Sequence, residues 1–472
     1  MPSRTVGRVY ALPLATALLA VVAAGCTDRD PPTGPQDIDA TAAATAPRDR
    51  YVVLMRETSD SRLSANAVGV QVARLRGKIE RSHPEIGAMQ VRDLSAAAAA
   101  ELARQPGVEA VVKDRRIQWL PPRTERIRVM NQLIRESGQR GAQFFDQYQW
   151  NIKKIKAQQA WNVTPQGEGV AVCILDTGVD PRHIDNVGKL NLDLSASFVA
   201  NERADRDFDS HGTAMGSVVT TNGLGLASVA PDAGLCSVKV LDRNGSGTFG
   251  DVAAGIMFVG DAGRIDGGAR VDVANMSLGA LLPANDPDIQ ALARLTQRAI
   301  DYSTRRGVLF VASAGNQATN LNNPNIIHLP SGLNNVLSVG ATGPIGQRNF
   351  DNIASYSNVG RQEVDVFAPG GEFVFAKNVL EDLILLACSP SIRFPGFEVC
   401  ADRNVYLFTA GTSPAAAHVS GEAAVIESEL PGDQTPAELT ACILRSADPL
   451  PNPQLTANGR INVLRGQACG GA

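Results

Sequence analysis

From residue 170 onward the chain carries a series of short, mostly apolar runs, unbroken at 170–175 and 308–312 and interrupted by isolated polar residues at 235–241, 271–277 and 336–340. A strand exposed on one face alternates apolar and polar residues, whereas a run apolar throughout is covered on both faces. Stretches of helical periodicity, such as 289–305, lie between these runs. Strands and helices in that alternation form a parallel sheet with helices on both faces, an α/β architecture. Chemistry in such a fold belongs in the crevice beyond the strand C-termini. With 472 residues, 44% hydrophobic and 19% charged, the chain has mass for one large domain plus attachments. A net charge of −4 and the lack of a long basic run give no reason to expect nucleic acid.

Two short motifs fall just past apolar runs: Asp176-Thr177-Gly178 after the first, and Ala314-Gly315-Asn316 after the fourth. Two others, His211-Gly212-Thr213 and Gly411-Thr412-Ser413, open helix-like stretches. Each has an ordinary reading on its own. Asp176 and Asn316 suit turns, His211 suits a cap, and Ser413 before Pro414 suits a helix start. Together they assemble a reaction. A serine hydroxyl is a weak nucleophile until a histidine takes its proton and a buried carboxylate fixes that histidine's tautomer. An amide side chain and a helix N-terminus can then hold the developing oxyanion.

The residues around these motifs are DTGVD at 176–180, HGTAMG at 211–216, NMSLGA at 275–280, ASAGN at 312–316 and GTSPAAAHVSG at 411–421. In this order they resemble the subtilases, the subtilisin-like serine peptidases, in the proteinase K-like branch. The resemblance runs from about Gln149 to the C-terminus. It implies that Asp176 orients, His211 acts as general base then acid, Ser413 attacks, and Asn316 joins the Ser413 N–H at the oxyanion. It also implies that Ser246-Gly247-Thr248 and Ser277-Leu278-Gly279 bind an extended protein or peptide substrate as an added strand. Ala314 and Gly315 would wall an open, apolar primary pocket of broad specificity. Pro414 stands where methionine is usual and Ala417 where proline is usual, and Pro414 leaves the Ser413 N–H intact. His83, His183, His328 and His418 read as structural. The chemistry needs no cofactor. The resemblance allows structural calcium but no ligands can be assigned, and no Cys-x-x-Cys or histidine cluster suggests another metal. A monomer is expected.

The N-terminus reads as a targeting segment. Arg4 and Arg8 precede an apolar stretch, 9–24, too short for a span, ending in Ala23-Ala24-Gly25-Cys26. This looks like a bacterial lipoprotein signal over 1–26 with Cys26 acylated, although Ala23 stands where leucine is usual. Export, with the product lipid-anchored or secreted, is the expectation, and the membrane enters only through that anchor. Residues 27–50 are a flexible tether. Residues 51–120 follow a strand, helix, strands, helix, strand order, a ferredoxin-like α+β module. Its position resembles that of the family's inhibitory propeptide. Such a module would template the slow-folding parallel sheet and lay its last residues across the active site. Residues 121–148 read as a processing linker and 149–472 as the peptidase domain.

Apart from Cys26, six of the seven cysteines remain. Cys388 with Cys400 and Cys442 with Cys469 are the expected disulfides, while Cys173 and Cys236, inside apolar runs, read as buried thiols. Two other function classes stay open. Gly245 to Gly250 is a GxGxxG between a strand and a helix-like run, as in a dinucleotide-binding oxidoreductase. It leaves the other four motifs unexplained, and Asp242-Arg243-Asn244 lengthens its turn. A catalytically silent binding protein on the same scaffold is the second, though all four chemical residues are present.

Overall fold

In the computed structural model the apolar runs lie side by side as the centre of one sheet. The structure describes residues 50–56, 61–121, 134–135, 142–162, 165–262, 270–373, 379–430, 432, 434–456 and 458–471. The expected signal segment 1–26 with Cys26, all of the tether but Arg50, and much of the linker 121–148 lie outside them. The described residues all belong to one compact unit, 37–472.

A small antiparallel sheet comes first, built from β1 (Tyr51–Met55), β2 (Lys78–His83), β3 (Ala88–Arg92) and β4 (Val108–Lys113) in the order β2-β3-β1-β4. With the helices Ser61–Arg74 and Ala96–Leu102 this is the ferredoxin-like arrangement expected. β2 gave no clear signal in the sequence because KIERSH is an edge strand, mostly exposed and polar. All five residues of β1 are buried, for a geometric reason. Side chains alternate across a strand. Val53 and Met55 pack with the module's own helices, among Val68, Val72 and Leu102. Val52 and Leu54 pack instead among Phe249, Val252, Ile289 and Leu292 of the larger part. The small sheet is therefore sandwiched.

Two short segments follow, β5 (Arg116–Gln118) and β6 (Ile134–Arg135). The main sheet draws on β7 (Ala171–Asp176), β8 (Ala196–Ser197), β9 (Gly234–Lys239), β11 (Val273–Met276), β13 (Leu309–Ser313), β15 (Val336–Thr342) and β16 (Val366–Pro369). The strands between these in sequence are β10 (Ser246–Thr248), β12 (Ala280–Pro283) and β14 (Ile326–Leu329), with β17 (Ile384–Ala387) and β18 (Val405–Thr409) after them. The seven main strands lie in the order β16-β15-β13-β11-β7-β9-β8, every neighbouring pair parallel.

Val172 and Ile174 face the helices His211–Val219, Thr412–Glu429 and Pro436–Ser446. Cys173 and Leu175 face Phe249–Ala262 and Pro287–Thr304. Both faces of β7 are thus covered, as the unbroken apolar run required.

One cysteine expectation is overturned. Cys173 and Cys236 form a disulfide, because β7 and β9 are adjacent and the two residues are directly in register, with Cα atoms 4.4 Å apart. Cys388–Cys400 and Cys442–Cys469 are bonded as expected. Among the described residues, no helix is long and apolar enough to cross a membrane.

Candidate active site

Asp176 is the last residue of β7 and is fully buried. His211 opens the helix packed on that strand, and its Nδ1 lies 2.9 and 2.8 Å from the two Asp176 carboxylate oxygens. A carboxylate only accepts, so Nδ1 carries the proton and donates it, leaving Nε2 as the basic nitrogen. His211, Asn316 and Ser413 line one open cleft together with Met215, Leu407 and Pro414.

Ser413 lies in the first turn of Thr412–Glu429. Its hydroxyl donates to the carbonyl of Ser277 at 3.2 Å, and the Ser277 hydroxyl donates back to the Ser413 carbonyl at 2.8 Å. Asn316 is oriented by Thr412, whose N–H and hydroxyl both donate to its Oδ1 at 2.9 Å. With Oδ1 so engaged, Nδ2 is left as the donor for a cleft oxygen.

Sequence reasoning missed Asp207. Fully buried, its carboxylate accepts from the Ser210 and Thr213 N–H groups at 2.8 Å and from the Thr177 and Thr213 hydroxyls at 2.9 and 2.7 Å. It thereby ties the residue after Asp176 to the helix start that carries His211. It also holds Ser210 at φ 86°, a left-handed conformation that a serine adopts only at some cost. Burial, with Asp209 nearby, pushes its carboxyl up from the usual range. In the sequence, Asp205-Arg206-Asp207-Phe208-Asp209 reads as a solvated loop, so no local signal sets Asp207 apart.

The expected substrate segments are already engaged by the chain itself. β10 pairs antiparallel with β5, Ser246 opposite Gln118, Gly247 opposite Ile117 and Thr248 opposite Arg116. The Gly279 N–H donates to the Trp119 carbonyl at 3.1 Å, and the Trp119 indole donates to the Gly247 carbonyl at 3.1 Å. Pro121 reaches the cleft lined by His211 and Ser413. Leu120 is 1% exposed, worth about 1.5–3 kcal/mol of burial for a side chain of its size. Beyond the cleft, β6 pairs antiparallel with β18, which leads towards Ser413.

The histidines read as structural divide. His418 Nδ1 donates to the Pro414 carbonyl and Nε2 accepts from Asn151, while burial lowers its pKa to about 4. His183 is held between the Val405 carbonyl and the Asp185 N–H, and burial lowers its pKa too. His83 is half-buried in β2. His328 differs, because its ring lies against Gly279 and Gly315. The space beside Gly315, expected to be open, is occupied in part by this ring. Leu278 is buried beneath the Ser313 side chain, which donates to its carbonyl. Among the described residues, no group of three or more His, Cys, Asp or Glu is placed to hold a metal.

Comparison with known proteins identifies the family. Residues 167–470 match the family model described as the Subtilase family. Subtilisin Savinase of Lederbergia lenta is 32% identical over 315 residues, which cover 66% of this chain and 96% of that protein. A thermophilic serine proteinase of Bacillus sp. (strain AK1) is 30% identical over 289 residues, 61% of this chain, and the match spans 59% of that relative's length. The crystal structure of the epidermin leader peptide processing serine protease (EpiP) from Staphylococcus aureus is similar in fold. It has a TM-score of 0.70 at 20% identity, covering 89% of this chain and 97% of that one.

Proposed function

The chain belongs to the subtilase family of serine peptidases, and from that premise we propose that it is an endopeptidase working through an acyl-enzyme on Ser413. The observation that carries this reading is the convergence of His211, paired with the buried Asp176, with Ser413 and Asn316 on one cleft. His211 Nε2 takes the Ser413 proton as the hydroxyl attacks the substrate carbonyl. Asp176 keeps the imidazole in the tautomer that allows this and steadies the imidazolium. Asn316 Nδ2 and the Ser413 N–H receive the oxyanion, and the imidazolium then protonates the leaving amine. The acyl-enzyme is released by water activated in the same way. Substrates are proteins or peptides that pair with β10 as an added strand.

The first module is read as an inhibitory propeptide. Supporting that reading, β5 lies on the substrate edge of β10 and Pro121 extends into the cleft. The chain is then a zymogen, exported under the segment 1–26, acylated on Cys26 or secreted, and cut by its own serine within the linker before about Gln149. Structural calcium, with no ligands assigned, plays no part in these steps.

The reading is tested by expressing wild type beside Ser413→Ala and measuring intact mass. Wild type is expected to lose the region before about Gln149, and Ser413→Ala to keep it. Equal trimming of both chains would contradict self-processing.

A further inference from the structure

The family resemblance places the side chain before the cleaved bond against Ala314 and Gly315, beside Ser413. β11 and β13 are neighbours in register, Met276 opposite Ala312, and the segments leaving them both bond the turn that carries Ser413. On one side Ser277 receives the Ser413 hydroxyl. On the other, Asn316 is tied to Thr412. Peptide already lies along the first segment, since the Gly279 N–H donates to the Trp119 carbonyl.

His328 stands between the two segments. It comes from β14, opposite Leu281 of β12, and is 2% exposed. A Cβ on Gly279 would approach its Nε2 to 2.8 Å, and one on Gly315 to 2.6 Å. Gly315 also has φ 98°, so two causes keep a side chain from that position. The imidazole takes up the space beside Gly279 and shares that beside Gly315 with the Asn358 amide and the Gln317 side chain. Its Nδ1 bonds the Ser331 hydroxyl at 2.7 Å, whereas Nε2 is buried without a partner.

We propose that His328 determines which residue the enzyme accepts before the scissile bond, its ring shortening the primary pocket so that Gly, Ala and Ser fit and Leu, Met and Phe do not. This deepens the proteolytic reading and rests on it. A serine in that place gains a further contact, because a hydroxyl can donate to or accept from Nε2 in either tautomer. Close-packed interiors do not yield room for a large side chain without moving the ring. His328 acts on the substrate side chain and takes no part in the bond chemistry.

The test uses the processed enzyme and peptides that differ only in the residue before the cut, compared by kcat/KM. Wild type is expected to favour Ala, Gly and Ser over Leu and Phe by about a hundredfold or more. In His328→Gly that ratio should shrink at least about tenfold as Leu and Phe peptides gain. His328→Ser serves the same purpose should the glycine variant fold poorly. A purely structural histidine would lower all peptides by one factor and leave the ratio intact. Equal or better cleavage after Leu or Phe by wild type, or an unchanged ratio in both variants, overturns the proposal. An enzyme labelled at Ser413 by a fluorophosphonate yet indifferent to the panel overturns this inference alone. Absence of both label and hydrolysis overturns the peptidase reading with it.

Discussion

The Ser413 hydroxyl donates to the carbonyl of Ser277 at 3.2 Å, and among the described residues no hydrogen bond joins it to His211. His211 is nonetheless fixed, with Nδ1 between both Asp176 oxygens and Nε2 directed to the lined cleft. Catalytic hydrogen bonds often tighten only once substrate is bound. Asp176→Asn should therefore lower kcat by about ten-thousandfold with little change in KM, because the imidazole loses its working tautomer. Steady-state kinetics on one peptide checks this.

Asn316→Ala should cost about a hundred- to a thousandfold in kcat. Thr412→Val removes one of the two bonds that aim the Asn316 amide and should cost less, also in kcat. A loss confined to KM in either variant would place Asn316 in binding instead.

Glu422 lies fully buried in the helix that carries Ser413. Burial pushes its pKa up to about 8, the Asn462 backbone N–H opposing part of that rise. The unfolded chain ionises this group near the ordinary value of about 4.3, so between there and about 8 it is the folded state that holds the proton. Stability should fall with rising pH across that window, by up to about 1.4 kcal/mol per pH unit. Glu422→Gln should match wild type near pH 4 and melt higher at pH 8. Thermal melts at the two pH values decide it.

The Cys173–Cys236 bridge closes 63 residues of chain between two central strands. Its chain-entropy contribution is about 4 kcal/mol. Replacing both cysteines by alanine should lower the denaturation midpoint accordingly, and an unchanged midpoint would contradict that estimate.

Pro414 follows Ser413 where subtilases usually carry methionine, so no thioether adjoins the nucleophile to be oxidised there. Met215 lines the cleft but is 1% exposed. Activity should survive mild peroxide that inactivates relatives with methionine at that position. Rapid loss would implicate Met215, and peptide mass mapping would show its sulfoxide.

Much of this was legible in the sequence, for physical reasons. Asp176, His211, Asn316 and Ser413 each sit in a contiguous stretch whose small residues announce close backbone approach. β7, β9, β11, β13 and β15 are mostly apolar because helices cover both faces, with buried polar residues such as Lys239 and Asn275 as the exceptions. What escaped depends on contacts between residues distant in sequence. Cys173 meets Cys236 only because β9 returns beside β7. His328 reaches Gly279 and Gly315 only because β14 pairs with β12. Asp207 owes its place to burial that a run of alternating charges conceals.

The most direct test of the account is a fluorophosphonate reaction followed by peptide mass mapping on wild type, Ser413→Ala and His211→Ala. Wild type should carry one adduct, on Ser413. The Ser413→Ala chain should carry none, and the His211→Ala chain should react far more slowly. An adduct persisting in Ser413→Ala, or a labelling rate indifferent to His211, would contradict an activated serine at this site.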